Sequence, residues 1–291
     1  MDLLQMLWSG SVMGLIFALI AYGYQTTYTA SKSLNFGQGE ALMLGGLLTF
    51  TLAPYLSWWG AIPVIVAAGL LQGLIVERLA VNQPLSKGSE SGWIMGTIAL
   101  GIIFKSLAEA IWGKDDLAVA SPVGDDPFML FGGGLIVQPM EVLIAVAVIG
   151  LWLGLQLFFK RSRWGKALTA VSIDRETAQL MGINAGWVVA GAYALSCALA
   201  GLGGLLVAPL TATGATMGVM LGIKGFEAAV VGGLTSPKGA IVGGLIIGIL
   251  EAVTAYAGYS GWKEVPGLLL LLVMLALRPQ GLFGKKIQKK L

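Results

Sequence analysis

The feature that most constrains this chain is a succession of apolar runs, nearly free of charge, at about 5–24, 40–55, 59–76, 92–112, 140–159, 186–208, 223–235, 239–258 and 265–277. About 20 apolar residues suffice for a helix to cross a bilayer. A helix also satisfies its own backbone hydrogen bonds, which lipid cannot do for it. The runs therefore predict an all-α, polytopic transmembrane helical bundle, one domain over residues 1–291 with eight or nine membrane segments. Runs 40–55 and 223–235 are short, and the first follows a Gly-rich break, so both are expected to be short or broken helices. Composition agrees: 11% of residues are charged, against about 25% in soluble domains.

Basic residues set an orientation. Lys160, Arg161, Arg163, Lys166 and Arg175 fall in one stretch, and Arg278, Lys285, Lys286, Lys289 and Lys290 in the tail, which together hold ten of the 18 Lys and Arg. Such clusters are retained in the cytoplasm. Loop 113–139 carries Asp115, Asp116, Asp125 and Asp126 against Lys114 alone and belongs on the other face. Nine crossings then place the N-terminus outside and the C-terminus inside.

Glycines recur four apart, as Gly10/Gly14, Gly69/Gly73, Gly92/Gly96, Gly150/Gly154, Gly239/Gly243 and Gly244/Gly248. Each pair shares one helix face and permits close helix contact. Residues 40–47 (EALMLGGL) echo residues 227–234 (EAAVVGGL). Two short, Gly-interrupted segments of opposite orientation are the mark of an inverted repeat around a midplane site.

Much chemistry is excluded. The chain has no His and one Cys, which removes His-based acid–base catalysis, Cys–His nucleophiles, disulfides and His or Cys metal centres. No catalytic residue and no metal site is expected. Cys197 lies in an apolar run and reads as a small buried hydrophobe. No basic patch is interleaved with aromatics, so nucleic acid is not an expected partner.

Three constellations remain. In Ser33–Glu40, Gly37 and Gly39 expose backbone N–H groups at a helix start, a setting that receives a carboxylate, with Asn35 and Gln38 adding directional hydrogen bonds. The same residues also read as a capped helix without ligand, with Glu40 a structural charge in the first turn. Among intramembrane charges, Lys105/Glu109 and Lys224/Glu227 have spacings that allow pairing on one helix face, while Glu251 lacks a local partner. Lys105/Glu109 is explained by interfacial snorkelling. In segment 172–184, Ser172 is the expected N-cap and Gly182 the stop of a short amphipathic helix, able to lie along lipid or enter a partner's groove.

Here the residues resemble a known family. Glu176-Thr177-Ala178 with Gly182 resembles the coupling loop of bacterial ABC importer permeases. Asp174-Arg175-Glu176 with Leu180-Met181-Gly182-Ile183 resembles its form in branched-chain amino acid permeases, with Thr177 replacing the usual middle Ala. Leu34–Glu40, Lys224–Leu234 with Pro237–Ala240, and Arg278–Phe283 are similar to other segments of that family. The resemblance implies a non-enzymatic inner-membrane subunit that binds no cofactor itself. Two ABC ATPase subunits, which use ATP and Mg, would dock on the cytoplasmic segment 160–185 through Asp174, Arg175, Glu176, Thr177, Ala178, Leu180, Met181 and Gly182. It further implies a second homologous permease, forming a heterodimer, and a periplasmic substrate-binding protein. Branched-chain or other hydrophobic amino acids would pass Asn35, Phe36, Gly37, Gln38, Gly39, Lys224, Phe226, Glu227 and Glu251. The chain has no phosphate loop of its own. Urea, short amides or aromatic acids are the alternative cargoes, and an ion-coupled secondary transporter using Lys224, Glu227 and Glu251 is the alternative class.

Overall fold

The computed structural model describes residues 2–83, 91–124, 126–130 and 134–284; Asp125, Lys285, Lys286, Lys289 and Lys290 of the charge pattern lie outside them. In chain order come α1 (Asp2–Ser31), α2 (Gln38–Leu52), α3 (Trp58–Val76, continued by a π-helical turn Glu77–Asn82) and α4 (Gly92–Trp112). A hairpin of β1 (Phe128–Leu130) and β2 (Leu135–Val137) precedes α5 (Pro139–Arg161), α6 (Arg163–Ile173) and α7 (Arg175–Leu180). Then follow α8 (Ala185–Thr211), α9 (Met217–Gly232), α10 (Pro237–Tyr256) and α11 (Val265–Leu277).

Among the described residues, seven helical stretches are long and apolar enough to cross a membrane. The helices α2 and α9 have 15 and 16 residues, about 23 and 24 Å at 1.5 Å per residue, short of a bilayer core of about 30 Å. Nine apolar runs thus resolve into seven spans and two short helices, both largely buried. Serine and asparagine start several helices: Ser57, Ser162, Asn184 and Ser236 accept backbone N–H groups of Gly60, Gly165, Trp187 and Gly239. Each satisfies one of the four amides a helix start leaves free.

Boundaries differ from the hydropathy reading where polar groups find local partners. Helix α1 continues past residue 24 because Thr26 and Ser31 donate to Tyr22 and Thr27 carbonyls at 2.8 and 2.9 Å. Helix α9 begins before residue 223, because Gly218 and Gly222 lie directly against the α2 backbone at Gly39. It ends at Gly232, where the C-terminal segment closes it. The Leu282 and Phe283 N–H groups donate to the carbonyls of Val231 and Gly232 at 2.9 and 3.0 Å. The hairpin in the acidic loop is a further departure; Ile136 N–H donates to Gln5 Oε1 at 2.8 Å and anchors it beside the start of α1.

The packing repeats itself. Helix α1 packs antiparallel on α10 and α8 antiparallel on α3; α2 crosses α8, and α9 crosses α1. Helices α1–α4 thus stand to α8–α11 as two halves of one repeat. Gly45 meets Gly201 of α8, while Gly225 meets Ile20 of α1, so Gly45 and Gly225 hold corresponding places. The eight-residue echo instead equates Gly45 with Gly232, a register the packing does not use.

Six of the twelve paired glycines lie in these crossings. Gly10 and Gly14 meet Gly248 and Gly244, and Gly69 and Gly73 meet Ala198 and Tyr193. Gly150 and Gly154 meet nothing within 4 Å and leave α5 smooth on an open face. A Cβ on Gly14 would sit 2.7 Å from the Gly244 carbonyl oxygen. The substitution Gly14→Val is therefore expected to cost about 3 kcal/mol or more by forcing α1 from α10. The matched Gly150→Val should stay within about 0.5 kcal/mol. Thermal denaturation of both variants in detergent checks the contrast.

Candidate functional site

The break between α1 and α2 is held from inside. Asn35 Oδ1 accepts Gly37 N–H at 3.1 Å, and its Nδ2 lies 3.4 Å from Cys197 Sγ. Gln38 Oε1 accepts the Ser196 hydroxyl at 2.6 Å, while its Nε2 donates to the Ile20 and Ser196 carbonyls. Both side chains are fully buried and stitch α2 to α1 and α8. These hydrogen bonds all run within the protein and staple the helices together.

The aromatic members of the motif do come together. Phe36 stacks on Trp93 with ring centres 6.1 Å apart and meets Phe226 at 5.8 Å; Phe226 meets Tyr24 edge-on at 5.8 Å. Tyr24, Phe36, Gly39, Glu40, Gly222 and Phe226 enclose part of a cavity of about 130 Å³ between α2 and α9. Gly37 packs against the Thr97 carbonyl and Gly101 of α4, and Glu40 is buried beside Gly101.

A second cavity, about 380 Å³, opens between α1, α9 and α10 at the acidic end. Lys224 reaches across it to Glu251 Oε1 at 2.5 Å and Glu264 Oε1 at 3.5 Å, and lies over the Phe17 ring at 5.6 Å. The Lys224 and Glu251 side chains are only 9% and 12% exposed. The expected pairing of Lys224 with Glu227 does not form. A three-residue spacing leaves the two side chains about 60° apart around the helix; Lys224 turns to α10, while Glu227 is buried against Gly267 of α11. Glu264 completes the cluster from the start of α11, and nothing in its local sequence marks it. Lys105 and Glu109 form a half-exposed pair at 3.8 Å on α4, apart from this cavity.

At the opposite, basic end, α6 and α7 form a corner. Asp174, not Ser172, caps α7: its carboxylate accepts the Glu176 and Thr177 N–H groups, both at 3.0 Å. Ser172 instead donates to the Thr169 carbonyl within α6. A carboxylate accepts two amides and meets the helix dipole, which a hydroxyl does less well. Gly182 ends α7 with φ 83°, its N–H on the Gln179 carbonyl and the Ile183 N–H on the Ala178 carbonyl. This is the Schellman pattern, which favours glycine in the left-handed region. Ala178 is buried against the α6–α8 core, whereas Ile173, Leu180 and Met181 are 81%, 87% and 78% exposed.

Residues 6–277 match the family described as branched-chain amino acid transport system, permease component. The chain belongs to that family. This permease is 31% identical over 297 residues to the high-affinity branched-chain amino acid transport system permease protein BraD of Pseudomonas aeruginosa, covering 97% of this chain and 96% of BraD. It is 29% identical over 303 residues to the permease protein LivH of Escherichia coli K12, with the same coverage. Its fold matches a chain of PsaBC from Streptococcus pneumoniae, solved in complex with a Fab, with a TM-score of 0.51 at 16% identity over 94% of this chain and 91% of that one. The permease is a multi-pass membrane protein.

Proposed function

We propose that this permease is one of two membrane subunits of an ATP-driven importer carrying branched-chain or other hydrophobic amino acids across the bacterial inner membrane. The α6–α7 corner carries the reading: Ile173, Leu180 and Met181 are solvated apolar anchors on a helix fixed at both ends by Asp174 and Gly182. Apolar anchors on a rigid support are what a partner's groove takes up. Residues 160–185 then lie in the cytoplasm and two ATPase subunits grip Asp174–Gly182. Their closure around ATP and Mg rocks the bundle between outward- and inward-open states.

The cluster Lys160, Arg161, Arg163, Lys166 and Arg175 supports the N-terminus outside and the C-terminus in the cytoplasm. A periplasmic binding protein delivers substrate at the acidic end, where Lys224, Glu251 and Glu264 offer both signs of charge to a zwitterion. Exposed Phe36, Val219, Met220 and Ile223 support contact with a second, homologous permease along the α2–α9 face. The branched-chain cargo named for the relatives supports that substrate class here.

Vesicles containing the permease with its partner subunits are expected to take up labelled leucine only with ATP, and isoleucine and valine should compete. Competition by urea or acetamide would move the cargo to the small amides. Uptake that persists without the ATPases, driven by an ion gradient, would overturn the importer reading.

A further inference from the structure

A third cavity, about 350 Å³, is unused by the pathway just described. It lies at the basic end between α1, α5, α6 and the turn before α10. Its wall includes Tyr22, Thr29, Gln156, Lys160, Thr169 and Ser172, and among the described residues no carboxylate lines it. Tyr22 is only 2% exposed, yet among the described residues its hydroxyl has no hydrogen-bond partner, and neither has the buried Gln156 Nε2. Buried polar groups in native folds are almost always paired, so two orphaned donors on residues that line one cavity mark a missing acceptor. The Thr169 and Ser172 hydroxyls already donate to the Gly165 and Thr169 carbonyls. Its orphaned and charged groups are therefore two neutral donors and the ammonium of Lys160.

That set fits an acceptor-only anion. The source follows from position. On α5, which contributes Gln156, Phe159 and Lys160 to the cavity, Leu153, Leu157 and Phe158 are exposed, and Arg161 and Arg163 follow in sequence. Apolar surface running into basic residues is the pattern of an acyl chain leading to an anionic headgroup. We propose that this cavity holds the phosphate of an anionic phospholipid from the leaflet at the basic end, with Tyr22, Gln156 and Lys160 as donors.

The test is native mass spectrometry of the detergent-purified permease, mixed in turn with phosphatidylglycerol and phosphatidylcholine. Phosphatidylglycerol should be retained in preference. The pair Tyr22→Phe and Gln156→Leu should weaken that retention about tenfold, and Lys160→Gln should weaken it separately. Because each variant of the pair removes an orphaned donor, melting without lipid should be unchanged or raised; a purely structural role predicts a fall. Equal retention of the two lipids, or retention indifferent to all three substitutions, overturns the proposal. Inorganic phosphate bound by the lipid-free permease and lost in the variants would transfer the site to a soluble anion and overturn the lipid assignment. Displacement by leucine would place the cavity on the substrate path and overturn it as well.

Discussion

Replacing Leu180 and Met181 together with Asp is expected to abolish ATP-dependent uptake while leaving the permease folded and inserted. Both side chains point into solvent, 87% and 78% exposed, so their loss removes no internal packing. The segment that carries them is held at its ends by the Asp174 carboxylate and the Gly182 turn, and neither depends on the side chains of residues 180 or 181. Central apolar anchors of an interface each contribute about 2 kcal/mol or more. Losing two, and placing two carboxylates against the partner, weakens association by about 4 kcal/mol, roughly a thousandfold. Copurification with the ATPase subunits and uptake into vesicles should both fail, with the melting temperature unmoved. A double variant that still copurifies and transports would remove the coupling role from this corner. The rim substitution Arg175→Gln, on the same helix, should have a much smaller effect.

The second large effect concerns Lys224. Converting Lys224→Met leaves Glu251 and Glu264 facing one another across the cavity without their shared cation. Removing one partner of a buried ion pair costs about 3–5 kcal/mol, because the remaining charge is stranded in low dielectric. Glu264 is 45% exposed and relaxes into water, so Glu251 bears most of the penalty. The double variant Lys224→Met/Glu251→Gln removes both charges and is expected to recover most of the stability. Thermal denaturation reads that recovery, and uptake of labelled leucine reads the function. Stability restored with uptake still lost places Lys224 on the path of the zwitterion; full recovery of both makes the pair a structural clasp.

Much of the chain is legible in its sequence because bilayer physics is local. A run such as 140–159 meets a length requirement by itself, and Gly182 acts on a dihedral angle at its own position. The corner at 174–182 could likewise be read, apart from the exchange of Ser172 for Asp174 as its cap. That exchange turned on which side chain could accept two amides at once, a choice between neighbours of similar propensity. The hairpin at 128–137 was missed because two three-residue strands give too little alternation to read.

Direction within the bundle was a different matter. Asn35 and Gln38 lie in a segment that looks equally suited to a ligand, and only the arrival of Ile20, Ser196 and Cys197 from other helices turned them into a staple. Lys224 had Glu227 nearer in sequence, but α10 and α11 brought Glu251 and Glu264 nearer in space. The repeat register moved from Gly232 to Gly225 for the same reason, since equivalence is defined by which helix each glycine lets approach. By itself the sequence determined that this protein is a multi-pass helical bundle, roughly where its apolar helices lie, and where its basic residues cluster. The tertiary structure alone decided which polar groups face one another, because at membrane depth a polar side chain takes the partner that packing brings within reach.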